Sequence, residues 1–164
     1  MVSGSTAMNA LPSSRPRKFL VVVDKTPECK VALRFAARRA QHTGGRVSLL
    51  CVVQTIDFQQ WKGVEEIMLD EAHREAEGLV TDAAKTVNEL AGLVPELLIE
   101  HGVPSECLLE LVNRDKDISI LVLASGTSKE GPGPLVSLFA STVQAIPVTI
   151  VPGDLSDEAV DELA

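Results

Sequence analysis

The stretch Lys18-Phe19-Leu20-Val21-Val22-Val23-Asp24 is an apolar run that ends abruptly in a carboxylate. A second run, Leu121-Val122-Leu123-Ala124-Ser125-Gly126-Thr127, ends in small and polar residues. Runs of this kind are typical of strands that are buried on both faces of a parallel sheet. In such sheets, ligands bind beyond the carboxyl ends of the strands, where the strand order reverses. We therefore predict that Asp24 and the turn from Ser125 to Thr127 share one site.

The composition limits the classes of partner. The 164 residues are 45% hydrophobic but only 3% aromatic, and they include no Tyr. This length suits one domain, which can bury about 70% of its unfolded surface. The shortage of aromatic rings argues against a stacking platform for single-stranded nucleic acid, and a formal net charge of −8 argues against a large phosphate-backbone footprint. The composition is compatible with a small anionic ligand that is held by backbone N–H groups.

The cysteines and the hydropathy pattern indicate a cellular location. Cys29, Cys51 and Cys107 form no C-x-x-C pair, and their wide spacing predicts reduced, mostly buried thiols in a reducing compartment. We find no secretory signal, and no apolar stretch approaches the roughly 20 residues that span a bilayer. We therefore expect a soluble cytoplasmic protein that does not associate with a membrane.

Apolar runs alternate with helical patterns along the chain. Strands are predicted at about 18–23, 46–53, 95–100, 118–124 and 147–151, and helices at about 27–43, 64–91, from 104 onward and 135–144. Residues 54–61 are predicted as a surface loop. Residues 1–16 are expected to be a flexible tail, 17–152 the folded domain, and 153–164 an acidic tail with a loose turn of helix. This alternation predicts a Rossmann-like, doubly wound α/β fold whose parallel sheet has helices on both faces.

Local signals refine two of the helices. Thr26 is the predicted N-cap of the first helix, with Pro27 just inside it. Arg34, Arg38 and Arg39 are expected on the solvated side of that helix. Acidic residues of the long helix, among them Glu75, are expected on a solvated face rather than at a metal site.

The chain resembles the universal stress protein family in four pieces, whose order and spacing match. These pieces are 21–26, 47–53, 100–104 with 107–110, and 120–125 with 146–151. The match covers about residues 17–152. The resemblance implies a five-stranded sheet of order 3-2-1-4-5 and a homodimer whose fifth strands, Pro147 to Val151, pair across a two-fold axis.

Part of that family binds ATP through Gly-x-x-Gly, nine residues, and then Gly-Ser or Gly-Thr. Here Ala124 and Thr127 occupy the first two glycine positions, and Val136-Ser137 aligns with the later pair after a one-residue gap. The resemblance therefore implies two alternatives. In the first, the chain binds an adenine nucleotide, which is AMP or is ATP together with Mg²⁺. In the second, the chain belongs to the branch of the family that holds no ATP.

The candidate nucleotide site has three parts. Asp24, followed by Lys25 and Thr26, is expected to accept hydrogen bonds from a ribose hydroxyl or an adenine amine, and helix capping is the alternative. The resemblance implies that the backbone of Val53 contacts the adenine. The residues expected to bind phosphate are Ala124, Ser125, Gly126, Thr127, Ser128 and Ser137. The alternative is that this segment is only a surface loop. Pro132 and Pro134 lack N–H donors and so weaken this cradle.

No catalytic or metal-binding constellation is visible in the sequence. His42, His73 and His101 lack metal-ligand spacing, and no Gly-x-Ser-x-Gly, Walker lysine motif or pair of catalytic carboxylates occurs. We therefore expect a non-enzymatic, homodimeric stress-response module that binds an adenine nucleotide. The alternatives are a dimeric protein-interaction module without nucleotide and a slow ATP hydrolase.

Overall fold

A computed structural model of the chain describes residues 16–54, 62–141 and 145–164. The predictions for the tail (1–15), for the loop (55–61) and for the end of the fourth helix (142–144) lie outside these residues. The strands are β1 (Lys18–Val22), β2 (Arg46–Val53), β3 (Glu96–His101), β4 (Ile118–Ser125) and β5 (Val148–Pro152). The helices are α1 (Cys29–Thr43), α2 (Lys62–Ala91), α3 (Pro104–Arg114), α4 (Pro134–Ser141) and α5 (Asp157–Leu163).

The strands form one sheet in the order β3-β2-β1-β4-β5, and each neighbouring pair is parallel. This arrangement confirms the predicted fold class and strand order. The chain moves from β1 outward to β3, returns to place β4 on the other side of β1, and then continues to β5. The strand order thus reverses between β1 and β4, and the carboxyl ends of these two strands diverge at one edge of the sheet.

The alternating side chains of β1 anchor two separate apolar cores. Phe19 and Val21 face one side and pack with α1, whose Ala36 and Ala40 are fully buried. Leu20 faces the other side and packs with Leu108 of α3. Because each face of the strand meets a helix layer, the run needs apolar residues at successive positions, and it has them.

The predicted cap of α1 is wrong. The helix begins at Cys29, and its N-cap is Glu28, which makes no side-chain capping bond. Thr26 instead donates both its backbone N–H, at 2.9 Å, and its hydroxyl to Asp24 Oδ1. The carboxylate thereby draws the Thr26 hydroxyl back toward the end of the strand, away from the first turn of the helix.

The acidic C-terminal segment is more ordered than a loose turn. It forms α5, which Ser156 caps by accepting the Ala159 N–H at 3.2 Å, and its Val160 is only 1% exposed. Arg34 binds Asp161 through two hydrogen bonds of 2.8 Å, and Arg38 Nε donates to the same carboxylate at 3.1 Å. Arg34 and Arg38 were expected to face solvent. They instead bind α5 through Asp161 and hold it against α1.

Lys18 is nearly buried at the amino end of β1, the edge of the sheet opposite the reversal point. Its ammonium donates to Asp115 and lies 3.1 Å from Glu96 Oε1. Burial lowers the pKa of Lys18, but the hydrogen bonds to Asp115 and Glu96 outweigh that effect and leave it above 10.5.

Among the residues that the structure describes, no helix is long and apolar enough to cross a membrane.

We expect Lys18→Met to destabilise the fold by about 2 kcal/mol, because it leaves two carboxylates without their cation. The value is below the roughly 3–5 kcal/mol typical of fully buried pairs, since Glu96 and Asp115 are partly exposed. The control is Arg46→Met, which removes a half-exposed ion pair with Asp117 on the same edge and should change stability by less than about 0.5 kcal/mol. Urea unfolding measures both variants, and equal effects would contradict a special role for Lys18.

Asp161 should make stability depend on pH in the acidic range. Hydrogen bonds from Arg34, and to a lesser degree from Arg38, lower the pKa of Asp161 from 3.8 to about 2. Because the folded-state pKa is depressed, this contribution is complete above pH 3.8 and is lost as the pH falls toward 2. The melting temperatures of the wild type and Asp161→Asn should therefore differ near neutral pH and converge on acidification. Asp157→Asn, at an exposed carboxylate 3.5 Å from Arg34, is the matched control and should show a smaller difference. A difference for Asp161→Asn that persists unchanged at pH 2 would contradict the assignment.

Candidate functional site

Three adjoining clefts lie at the carboxyl edge of the sheet, around the ends of β1, β2 and β4. The β2 groove, of about 410 Å³, lies between the ends of β1 and β2 and the face of α2. The loop cleft, of about 620 Å³, lies between the start of α1 and the loop 126–133. The floor cleft, of about 110 Å³, lies between the ends of β1 and β4 beneath the loop. The two larger volumes are in the range typical of small-molecule sites.

Asp24 lines both the β2 groove and the floor cleft. Its Oδ1 accepts the two hydrogen bonds from Thr26, whereas its Oδ2 has no hydrogen-bond partner within residues 16–54, 62–141 and 145–164. The side chain is exposed, so the carboxylate is not desolvated at the strand end. A fixed and solvent-exposed acceptor at this point suits a ligand hydroxyl or amine that lies between the clefts.

The β2 groove has apolar walls and a charged mouth. Its apolar lining consists of Val23, Cys51, Val52, Val53, Ala72, Ala76 and Leu79. At the mouth, Lys25 forms an ion pair with Glu75 of α2, which was expected only to face solvent. Such a slot accepts a flat apolar group. The carbonyl of Val53, at the end of β2, accepts the N–H of Gly102 at 2.9 Å.

The loop cleft offers fewer N–H donors than the sequence led us to expect. The N–H of Gly126 donates to the Pro132 carbonyl at 2.9 Å, and the N–H of Ser137 donates to the Gly133 carbonyl at 3.0 Å. Both donors are therefore used inside the loop and α4. Thr127 and Ser128 also line the cleft, and their N–H groups have no acceptor within the part of the chain that the structure describes.

The two remaining residues of the predicted cradle lie elsewhere. Ala124 lines the floor cleft. Ser125 lines none of the three clefts, because its carbonyl accepts the N–H of Gly153 at 3.0 Å and its hydroxyl turns to the Gly126 carbonyl. Gly153 must be small, since a Cβ there would lie 2.3 Å from the Ser125 oxygen.

Sequence reasoning missed Glu28, which lines both the loop cleft and the floor cleft. Its Oε1 lies 3.3 Å from the point that a Cβ on Gly126 would occupy. The available signal was its position just before a helix, where the dipole favours a carboxylate. The walls contributed by α2 were also missed, although Ala72, Ala76 and Leu79 recur in the sequence at the spacing of one helix face.

Cys29 and Cys51 contribute unreactive thiols to this edge. Burial raises the pKa of Cys29 to about 11, and its Sγ donates to the Val22 carbonyl at 3.7 Å. Burial likewise raises the pKa of Cys51. Both thiols are therefore protonated near neutral pH and are poor nucleophiles.

The histidines of α2 and β3 form a pair beside the β2 groove. His73 Nδ1 lies 3.2 Å from His101 Nε2, and His73 Nε2 lies 3.1 Å from Glu77. No group of three or more His, Cys, Asp or Glu side chains among the described residues is arranged to hold a metal ion.

Comparison with known proteins gives one family and many solved structures. The family model described as the universal stress protein family matches residues 16–152. A universal stress protein from Lactobacillus plantarum superposes with a TM-score of 0.72 at 19% identity, over 84% of this chain and 99% of that one. Curated protein sequences give no significant match.

Two further solved structures have names that state a bound nucleotide. A universal stress protein family protein from Arabidopsis thaliana, with AMP bound, has a TM-score of 0.59 and 20% identity, over 87% of this chain and 95% of that one. The universal stress protein from Archaeoglobus fulgidus, in complex with dAMP, has a TM-score of 0.54 and 21% identity, over 84% and 98%. At such identities these structures bear on the fold alone. The family model covers most of the folded part, and the chain therefore belongs to the universal stress protein family.

Proposed function

We propose that this protein is a non-catalytic stress-response module that binds an adenine nucleotide across Asp24. The adenine lies in the β2 groove against Val53, the ribose meets Asp24 Oδ2, and the phosphate points toward the N–H groups of Thr127 and Ser128. The observation that carries the proposal is the unpartnered Oδ2 of Asp24, which lies between an apolar slot and a loop that offers N–H donors. The relatives named with AMP and dAMP support the choice of adenine.

The remaining parts of the proposal concern chemistry and location. No reaction step is assigned, because the thiols at this edge are protonated and Asp24 is held by Thr26 rather than by a partner base. The cysteine pattern favours a cytoplasmic location. Magnesium would enter only together with a triphosphate.

A nucleotide-free interaction module is the second candidate, and the loop favours it. Gly126 and Ser137 use their N–H groups internally, and Pro132 and Pro134 have none to offer. If these losses prevent phosphate binding, the protein acts through its fold and its assembly with partners.

The assembly we propose is a homodimer formed through β5. This strand pairs with β4 along one edge, and its other edge has no partner strand among the described residues. Ile150 of β5 is 37% exposed, so an apolar side chain of this edge strand reaches solvent. An unpaired edge with an exposed apolar side chain is a ready surface for a second copy.

Removal of the Asp24 charge should weaken nucleotide binding. Asp24→Asn keeps an acceptor for the Thr26 N–H but lowers its strength toward a ribose hydroxyl, so we expect AMP affinity to fall about tenfold or more. Isothermal titration of dialysed protein with AMP measures this change. Asp82→Asn, at an exposed position on α2, is the control. Wild-type affinity in Asp24→Asn would contradict the assignment, and absence of AMP binding to the wild type would favour the nucleotide-free module.

A charge on β5 should prevent the dimer. We expect Ile150→Lys to elute as a monomer of 17.5 kDa in light-scattering chromatography, with the wild type at about twice that mass. Leu97→Lys on β3, the opposite edge strand, replaces a residue that is 44% exposed and should leave the dimer intact. A monomeric wild type, or dissociation by both variants, would contradict pairing through β5.

A further inference from the structure

The side chain of Glu28 lines both the loop cleft and the floor cleft, beside the loop 126–133. It stands between the Gly126 turn and Gly153, whose Cβ position would lie only 2.7 Å from Glu28 Cβ. Its carboxylate makes neither a hydrogen bond nor an ion pair with the described residues. The side chain therefore presents an uncompensated negative charge to the loop cleft.

Among the described residues no cation lines the loop cleft, and the lysines beside it in sequence, Lys30 and Lys129, are exposed and are not part of its lining. Its described lining includes a second carboxylate, Glu130, but no Lys, Arg or His. Lys25, the nearest basic residue in sequence to Glu28 on the strand side, is already paired with Glu75 in the β2 groove. Each added phosphate of a ligand would bring further negative charge toward two carboxylates across a short distance.

The supply of N–H donors is also limited. The N–H groups of Gly126, Gly131 and Ser137 donate to carbonyls within the loop and α4, and Glu130 N–H donates to Ser128 Oγ. Those of Thr127 and Ser128 are sufficient for one phosphate group. Beyond them the described lining adds the N–H groups of Glu28 and Gly133 and three hydroxyls, but no cation. A triphosphate would therefore meet Glu28 and Glu130 without a positive charge in the lining to offset them.

We propose that the Glu28 carboxylate, assisted by Glu130, makes this site select adenine nucleosides and their monophosphates against ATP. This inference rests on the proposed function and specifies its ligand class. The selection acts through charge, so it does not require the cleft to be too small. At about 620 Å³ the loop cleft has room for more phosphate than its electrostatics permit.

The test compares AMP and ATP affinities by isothermal titration, with and without Mg²⁺, for the wild type and Glu28→Gln. Glutamine has nearly the same shape, so the variant isolates the charge. We expect the wild type to prefer AMP at least tenfold. We expect Glu28→Gln to strengthen ATP binding about tenfold, equivalent to about 1.4 kcal/mol, while AMP affinity changes less than about threefold. Addition of Glu130→Gln should strengthen ATP binding further.

Glu106→Gln is the matched control, because Glu106 is an exposed carboxylate in the first turn of α3. It should leave both affinities unchanged. An ATP-to-AMP affinity ratio that stays constant in Glu28→Gln overturns the inference and leaves the proposed function standing. Weaker binding of Mg²⁺-ATP to Glu28→Gln also overturns it, since Glu28 would then act as a magnesium ligand. If the wild type binds neither nucleotide, the proposed function itself fails, and this inference fails with it.

Discussion

The double pairing of β1 is the constraint on which the rest of the structure depends. β1 is hydrogen-bonded to β2 on one side and to β4 on the other, and each of its faces meets a helix layer. A strand enclosed in this way has no solvent face, so polar groups are confined to its ends. Lys18 lies at one end with two carboxylates, and Asp24 follows the other. The first is a partly buried ion cluster, and the second is the centre of the candidate site.

The fold could be predicted to the extent that it depends on local runs. The apolar stretches of β1 and β4 predicted parallel strands, and the position of Asp24 after β1 predicted the edge of the sheet where the clefts lie. Contacts between distant segments could not be predicted. Arg34 and Arg38 were expected to be solvated because nothing near them in sequence is a partner, yet Asp161 reaches them from α5. A periodic pattern identifies the faces of a helix but not the segment that covers them.

The candidate site was predictable in its residues more than in its hydrogen bonds. Asp24, Val53 and Thr127 line the clefts, and their roles toward a nucleotide stay predictions. The engagement of the Gly126 N–H with Pro132 could not be predicted, because a Gly- and Pro-rich loop can bond internally in many ways. Glu28 was missed for a related reason. Its neighbours in sequence mark only the start of a helix. Its position in the clefts depends on Gly126 and Gly153, which the fold brings beside it from two other segments.

The floor cleft also contains a buried thiol, Cys29, whose chemical reactivity depends on local opening of the structure. Cys29 is a buried residue in the first turn of α1, and its thiol donates a hydrogen bond to the Val22 carbonyl at the end of β1. A thiol in this environment reacts with an alkylating reagent only when the turn lifts away and the proton is lost to water. The alkylation rate of Cys29 therefore reports how often the edge of the sheet opens locally. A ligand that bridges β1 and the loop would slow that opening without touching the sulfur.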